Sequence, residues 1–410
     1  MTEPDPAHAA IRAVFRVEHA RLVARVARMV RDVGVAEELA QDALVAALET
    51  WPRDGIPAKP GAWLMTAARR RALNRLQRGR MVERKHEELG HMTPSHDDPP
   101  DLDDDVGDDL LRLMFVSCHP VLAPEARVAL TLRLLGGLTT EEIARAFLLT
   151  ESTIAQRIVR AKRALADAKV PFEVPPSAER AARLASVCAV IYLVFNEGYS
   201  ASAGDDPMRP ALIEDALRLG RVLAGLVPDE PEVHGLCALM ELHASRAGSR
   251  IDAHGESVLL LDQNRARWDH RLIRRGLEAL ARAQQLGGAG PYVLQAEISA
   301  CHARALVASE TDWPRIAELY TALARLHPSP VIDLNRAMAI AMTEGPAAGL
   351  RLIDDIAPRL PRYPWLAAAR ADLLIKLDRR AEAVVELQRA AELTTNTHDR
   401  AQLLRRAAAL

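Results

Sequence analysis

At 410 residues, 49% of them hydrophobic and 26% charged, the chain is too long for one comfortable core and too apolar for a disordered or fibrous protein, so about two to four globular domains are expected. Aromatic residues are only 4% of the total while alanine, leucine and arginine abound, which favours helices packed through small side chains over sheets and predicts an all-α protein. The net charge of −2 hides a strong segregation: residues 69–85 carry eight basic side chains and one acid, and residues 97–109 carry eight aspartates and no base.

Residues 8–31 read as a first helix with Ile11, Val14, Phe15, Leu22, Val26 and Val30 as its apolar stripe, broken by Gly34. A second helix over 36–51 turns Leu39, Ala43, Leu44 and Ala47 inward and Glu37, Glu38, Gln41 and Asp42 outward. Acids in its first turn suit the helix dipole and also suit a basic partner. Pro60 opens a third helix anchored by Trp63, with Leu64, Ala67, Ala68, Ala72 and Leu76 inward. Its surface carries Arg69, Arg70, Arg71, Asn74, Arg75 and Arg78, a density of cation beyond what solubility requires, which points to a polyanion.

The span 81–108, ending in HDDPPDLDDDVGD, has adjacent prolines and a like-charge block, and is expected to be an extended tether. Helices over 109–121 and 124–135 lead into GLTTEEIARAFLLTESTIAQRIVRAKRAL, which reads as two short helices joined by a tight turn. Thr139 and Glu142 have the spacing of a capping box, and Thr150 or Ser152 can cap the second helix. That helix buries Ile154, Ile158, Ala161 and Leu165 and presents Ser152, Thr153, Gln156, Arg157, Arg160, Lys162 and Arg163. Small polar residues followed by cations suit a major groove, where the first reach base edges and the later ones meet phosphates; an ordinary helical hairpin with a solvated basic face is the alternative. The prolines of KVPFEVPP at 169–176 mark a domain boundary.

Residues 177–410 continue as helix after helix. In Pro364–Leu393, Ala371, Ala383 and Ala390 occupy the small-residue positions of a tetratricopeptide helix pair, where close approach needs a small side chain. Gly276, Ala283 and Leu286 repeat half of that pattern, and Ala337 with Gly349 form another pair. Two stretches fit poorly, YLVFNEGYSASA at 192–203 and LLLDQNRARWD at 259–269. Their Asn196, Glu197, Tyr199, Asp262, Asn264, Arg265 and Trp268 form a candidate regulatory groove; the alternative is that Asp262, Asn264 and Arg265 satisfy helix ends and Trp268 is core.

The blocks AEELAQDALVAALETW and PGAWLMTAARRRALNRLQR, an acidic linker, then GLTTEEIARAF and TIAQRIVRAKRAL, together resemble an alternative sigma factor of bacterial RNA polymerase, of the extracytoplasmic-function type. The resemblance implies a region 2-like domain over 8–80, the linker over 81–108 and a region 4-like helix-turn-helix domain over 109–170. It places Glu37, Glu38, Gln41 and Asp42 on the helix that grips the clamp of core RNA polymerase. The Trp63–Arg78 segment would meet the minus-ten element of promoter DNA, and Ser152–Arg163 the minus-thirty-five element. Arg70 and Asn74 stand where the family usually carries Asn and Asp, so its base preference does not transfer to that helix. Leu148 stands in the turn where relatives usually place glycine, a costly residue at positive φ. With FVSCHP at 115–120 and SPVIDLNRA at 329–337, the chain resembles a subgroup carrying a long tetratricopeptide-like extension, here 177–410. That subgroup often lacks a dedicated anti-sigma partner, which implies control by the extension itself, through intramolecular contact with the sigma domains or through contacts with the polymerase or a ligand.

No catalytic or metal motif competes with this reading. The four cysteines form no CxxC pair, the 13 histidines form no HExxH, and GGAG at 287–290 lacks a P-loop lysine. Ser117, Cys118 and His119 are adjacent in sequence, which seldom makes a triad. The opening MTEPDPAHAA lacks the pattern of a signal peptide, and no apolar run approaches the ~20 residues of a membrane helix, so a cytoplasmic protein without cofactor or enzymatic activity is expected. The rival is a polymerase-independent helix-turn-helix regulator with a tetratricopeptide sensor.

Overall fold

A computed structural model describes residues 6–87, 106–200, 208–252, 258–394 and 396–410, so the acidic stretch 97–105, most of the tether and the residues 201–203 lie outside the described residues. Eighteen α-helices account for most of them, with no β-strand among them, in keeping with an alanine- and leucine-rich sequence. The chain divides into two compact units, between Ile191 and Tyr192.

The first unit holds α1 (Pro6–Val30), α2 (Val33–Asp54), α3 (Pro60–Glu87), α4 (Val106–Ser117), α5 (Pro124–Leu134), α6 (Thr140–Ala146), α7 (Glu151–Asp167) and the start of α8 (Ser177–Tyr199). Gly34 does not break the first helix, contrary to expectation. Arg31 does, at φ 54°, and Asp32 then caps α2 by accepting from the Gly34 and Val35 amides at 2.7 and 3.0 Å. Leu64, Ala68 and Ala72 of α3 are fully enclosed, and Trp63 meets Trp51 edge to face with centroids 5.3 Å apart.

The helices before and after the tether belong to one unit. Leu22, Val23, Ala24, Val26 and Ala27 of α1 are all buried, more than a single stripe can account for, because α1 packs on α4 as well as on α2 and α3. Asp109, almost fully enclosed at the start of α4, receives Arg25 at 3.2 Å and Arg112 at 2.7 Å. Beyond the prolines at 171–176, α8 returns to the same unit: Arg183 donates to the Phe115 carbonyl and Ser186 to the Cys118 carbonyl, both at 2.9 Å, satisfying orphan acceptors at the end of α4. Ser117, Cys118 and His119 serve this turn. Ser117 bonds the Leu113 carbonyl, Cys118 contacts the Thr131 hydroxyl, and burial pushes its thiol up to about 11. His119 accepts from the Val121 amide.

The second unit continues with α9 (Pro210–Leu226), α10 (Pro231–Ser245), α11 (His270–Gln285), α12 (Pro291–Arg304), α13 (Trp313–Leu326), α14 (Pro330–Glu344), α15 (Pro346–Ile356), α16 (Pro364–Lys376), α17 (Arg380–Leu393) and α18 (Thr397–Ala408). Successive helices pack as neighbours, a helical repeat in which proline recurrently opens the helix. Ala371, Ala383 and Ala390 are fully buried at the α16–α17 crossing, as their spacing predicts. Gly276 lies so close to α10 that a Cβ there would sit 2.7 Å from Leu242 Cγ. The GGAG cluster is the α11–α12 turn, where the Glu232 carboxylate, not a phosphate, accepts from the Tyr292 amide at 2.9 Å.

Candidate nucleic-acid interface

The pair α6–α7 is built by its caps. Thr139 accepts from the Glu142 amide at 3.1 Å while Glu142 accepts from the Thr139 amide at 2.7 Å, and Thr150 accepts from the Thr153 amide to start α7. Between them Leu148 takes φ 52°, exposed at the tip, while Leu149 donates to the Ala144 carbonyl at 2.9 Å. A left-handed leucine costs ~1–2 kcal/mol that glycine avoids, partly offset by glycine's freer unfolded chain. Leu148→Gly is therefore expected to stabilise the first unit by ~0.5–1 kcal/mol in urea unfolding; a loss would mean that the exposed side chain packs more than its exposure suggests.

Burial of Ile154, Ile158, Ala161 and Leu165 sets the phase of α7. Ser152, Thr153, Gln156, Arg160 and Arg163 are thereby exposed and Arg157 half-buried. The Ser152 and Thr153 hydroxyls lie 3.0 and 2.7 Å from that of Thr150. Neither Arg157 nor Arg160 has an ion-pair partner among the described residues, whereas Arg163 reaches Asp167 at 3.6 Å. On α3, Arg69, Arg70, Asn74, Arg75 and Arg78 are exposed. Arg71 folds back onto the Ala67 carbonyl at 3.2 Å, and Arg75 reaches Glu38 at 3.7 Å.

The outward placement expected of the α2 acids fails at Glu37. Glu38 and Asp42 are exposed and Gln41 is half-buried, donating to Glu37 at 3.1 Å, but Glu37 is only 3% exposed. Its carboxylate receives Arg133 of α5 at 2.5 Å and Lys162 of α7. Lys162, expected on the solvated cationic face, thus points into the unit. Burial pushes the Glu37 carboxyl up, but Lys162 and Arg133 outweigh it and hold the group below its ordinary 4.5. Beside it, burial drives His19 down to about 4. Sequence periodicity missed Arg133 and His19 because their partners lie on helices far along the chain.

The family model described as Sigma-70 region 2 matches residues 15–81, and that of Sigma-70, region 4 matches residues 112–165. A family of unknown function (DUF6596) matches residues 183–284. An uncharacterised protein of Rhizobium meliloti (strain 1021) is 43% identical over 382 residues, covering 92% of this chain and 90% of that protein. The probable ECF RNA polymerase sigma factor SigI of Mycobacterium tuberculosis is 30% identical over 188 residues, 44% of this chain and 61% of its own. The ECF RNA polymerase sigma factor SigK of Mycobacterium ulcerans (strain Agy99) is 31% identical over 156 residues, 35% of this chain and 78% of its own. This chain is an ECF sigma factor.

In this sigma factor both matched regions lie within the first unit, and the helical extension makes up most of the rest. The seven residues of the candidate groove differ in role, and Arg265 lies 5.4 Å from the Trp268 ring centroid. Glu197 is ion-paired with Arg209, Asn264 caps a short turn by accepting from the Ala266 amide at 3.1 Å, and Asp262 is exposed. Arg265 is buried and donates to the His302 and Ala305 carbonyls and to Thr311. Asn196 is half-buried, and the Arg250 guanidinium lies 4.1 Å over the Tyr199 ring. Trp268 is core and also lines a cavity of about 360 Å³. No metal-binding cluster occurs among the described residues, and no helix among them is long and apolar enough to cross a membrane.

Proposed function

We propose that this sigma factor binds core RNA polymerase, directs it to particular promoters and is tuned by its helical extension. The observation that carries the reading is the pairing of two separate cationic helix faces, on α3 and α7, with an acidic α2 in one chain. A self-sufficient regulator needs α7 but has no use for the α3 arginines or for α2. Of the three α2 acids assigned to the polymerase, Glu38 and Asp42 are exposed, and Glu37 joins them only if Lys162 and Arg133 release it. The α7 face serves the upstream promoter element, the exposed Arg69, Arg70, Asn74, Arg75 and Arg78 the downstream one. Contact between the extension and the sigma helices is part of the same proposal.

Run-off transcription with core polymerase tests it, using the full chain and a chain ending at Ser200. A promoter-dependent transcript from the full chain, changed by truncation, is expected. Tight promoter binding without core, and no transcript with it, would establish the polymerase-independent regulator instead. Equal output from both chains would remove the extension from the reading.

For DNA itself, Arg160→Ala is expected to weaken promoter binding on all sequences and to lower the salt slope by about one. Gln156→Ala is expected to shift base preference by ~1–3 kcal/mol at one position. Equal losses on every sequence for the Gln156 variant would remove it from base reading.

A further inference from the structure

The cavity of about 360 Å³ lies wholly within the second unit, between α10, α12, α13 and α14. Its volume is in the range of sites for small organic molecules. Leu242, Ile298 and Leu323 make much of its wall apolar, and Trp268 adds an indole that is 3% exposed. The Trp268 Nε1 donor is buried without an acceptor among the described residues, and so is Nδ1 of His302 on the same wall. Both atoms are closed off from water, so the polar groups a ligand can meet are those the wall exposes, Arg246 first among them.

The charge of the wall narrows the choice. Arg246 lines the cavity, half-buried, and has no carboxylate partner among the described residues; its guanidinium lies 5.7 Å from the Tyr199 ring centroid. The neighbouring guanidiniums offer it no relief. Arg250 bonds the Tyr199 carbonyl, and Arg265 bonds two carbonyls and a hydroxyl, all neutral acceptors. The acids near them, Asp399 and Glu310, act on Arg250 and Arg265. The other titratable groups of the wall are neutral at neutral pH. Burial lowers His243 far below 6.5 and His302 to about 3, and it raises the Tyr320 phenol to about 12. Among the described residues of the wall Arg246 thus carries the only net charge, and a single guanidinium in a half-apolar site pairs with one carboxylate.

We infer that this cavity binds a small organic monocarboxylate, its carboxylate on Arg246 and its apolar body against Trp268 and Ile298. The inference stands on the second unit alone and does not depend on polymerase or promoter binding, so its failure and theirs are separable.

Calorimetric titration of the full chain with phenylacetate tests it, beside the neutral phenylacetamide and the dianionic phenyl phosphate. Saturable binding of phenylacetate is expected, with the amide at least about tenfold weaker and the phosphate no tighter. Arg246→Gln should bring phenylacetate down to the level of the amide, and Trp268→Phe, which also loses core packing, should weaken it several-fold at a titration temperature where the variant is still folded. If Arg246→Gln does not fold, the acid-to-amide ratio on the unaltered chain decides. No saturation up to about 10 mM, equal binding of acid and amide, undiminished binding to a folded Arg246→Gln variant, or a preference for the phosphate would each overturn the assignment.

Discussion

Replacing Glu37 with glutamine is expected to destabilise the first unit by about 3 kcal/mol, more than any change of an exposed acid on the same helix. Removing one member of a buried pair leaves the others uncompensated, typically at ~3–5 kcal/mol. Arg133 and Lys162 keep some contact with water, which places Glu37→Gln at the lower end. Lys162→Met should cost less, because Glu37 keeps Arg133 at 2.5 Å. Exposed Glu38, paired with Arg75 at 3.7 Å, should cost next to nothing. Urea unfolding of the three variants measures this; equal effects for Glu37 and Glu38 would mean that the pair with Arg133 and Lys162 is not formed in solution.

The same site sets an acid limit. His19 falls from 6.5 to about 4 on folding, so the unfolded chain takes up a proton that the folded chain refuses. Stability is therefore complete above pH 6.5 and declines between 6.5 and about 4. Glu37, held below its ordinary 4.5, contributes stability present above that value and lost as pH falls further through its folded value. The difference between the unaltered chain and Glu37→Gln should accordingly persist at neutral pH and shrink below pH 4.5.

In the second unit, Gly349→Ala is expected to destabilise although alanine is the better helix former. A Cβ at this position would lie 2.4 Å from Ala341 Cβ and 2.8 Å from the Ala337 carbonyl oxygen, so α14 and α15 must separate. Overpacking of this kind costs ~1–3 kcal/mol, against a helix gain of at most ~1 kcal/mol, and Gly349→Leu should cost still more. Gly225, on α9 with open space around it, provides the opposite sign: Gly225→Ala should stabilise by ~0.5 kcal/mol. Differential scanning calorimetry separates the two, and a stabilising Gly349→Ala would show that the crossing is looser than these distances.

Much of the α6–α7 pair was legible in residue order alone, because its determinants are local. Capping boxes span four residues, and the phase of α7 follows from Ile154, Ile158, Ala161 and Leu165, which also sets Gln156 and Arg160 outward. Small residues at Ala371, Ala383 and Ala390 announced a close crossing for the same reason, since spacing along a helix fixes which side chains share a face. The tertiary structure decided the rest. Glu37 meets Arg133 and Lys162 from 96 and 125 positions away, a meeting that no periodicity within α2 contains. Likewise α8 crosses the proline boundary to satisfy carbonyls of α4, and Arg246 and Trp268 come to one cavity only because α10, α12, α13 and α14 stack as they do. Periodicity dictates the face a helix buries; which charge waits on the other side depends on the chain's return, and that is a property of the packed molecule.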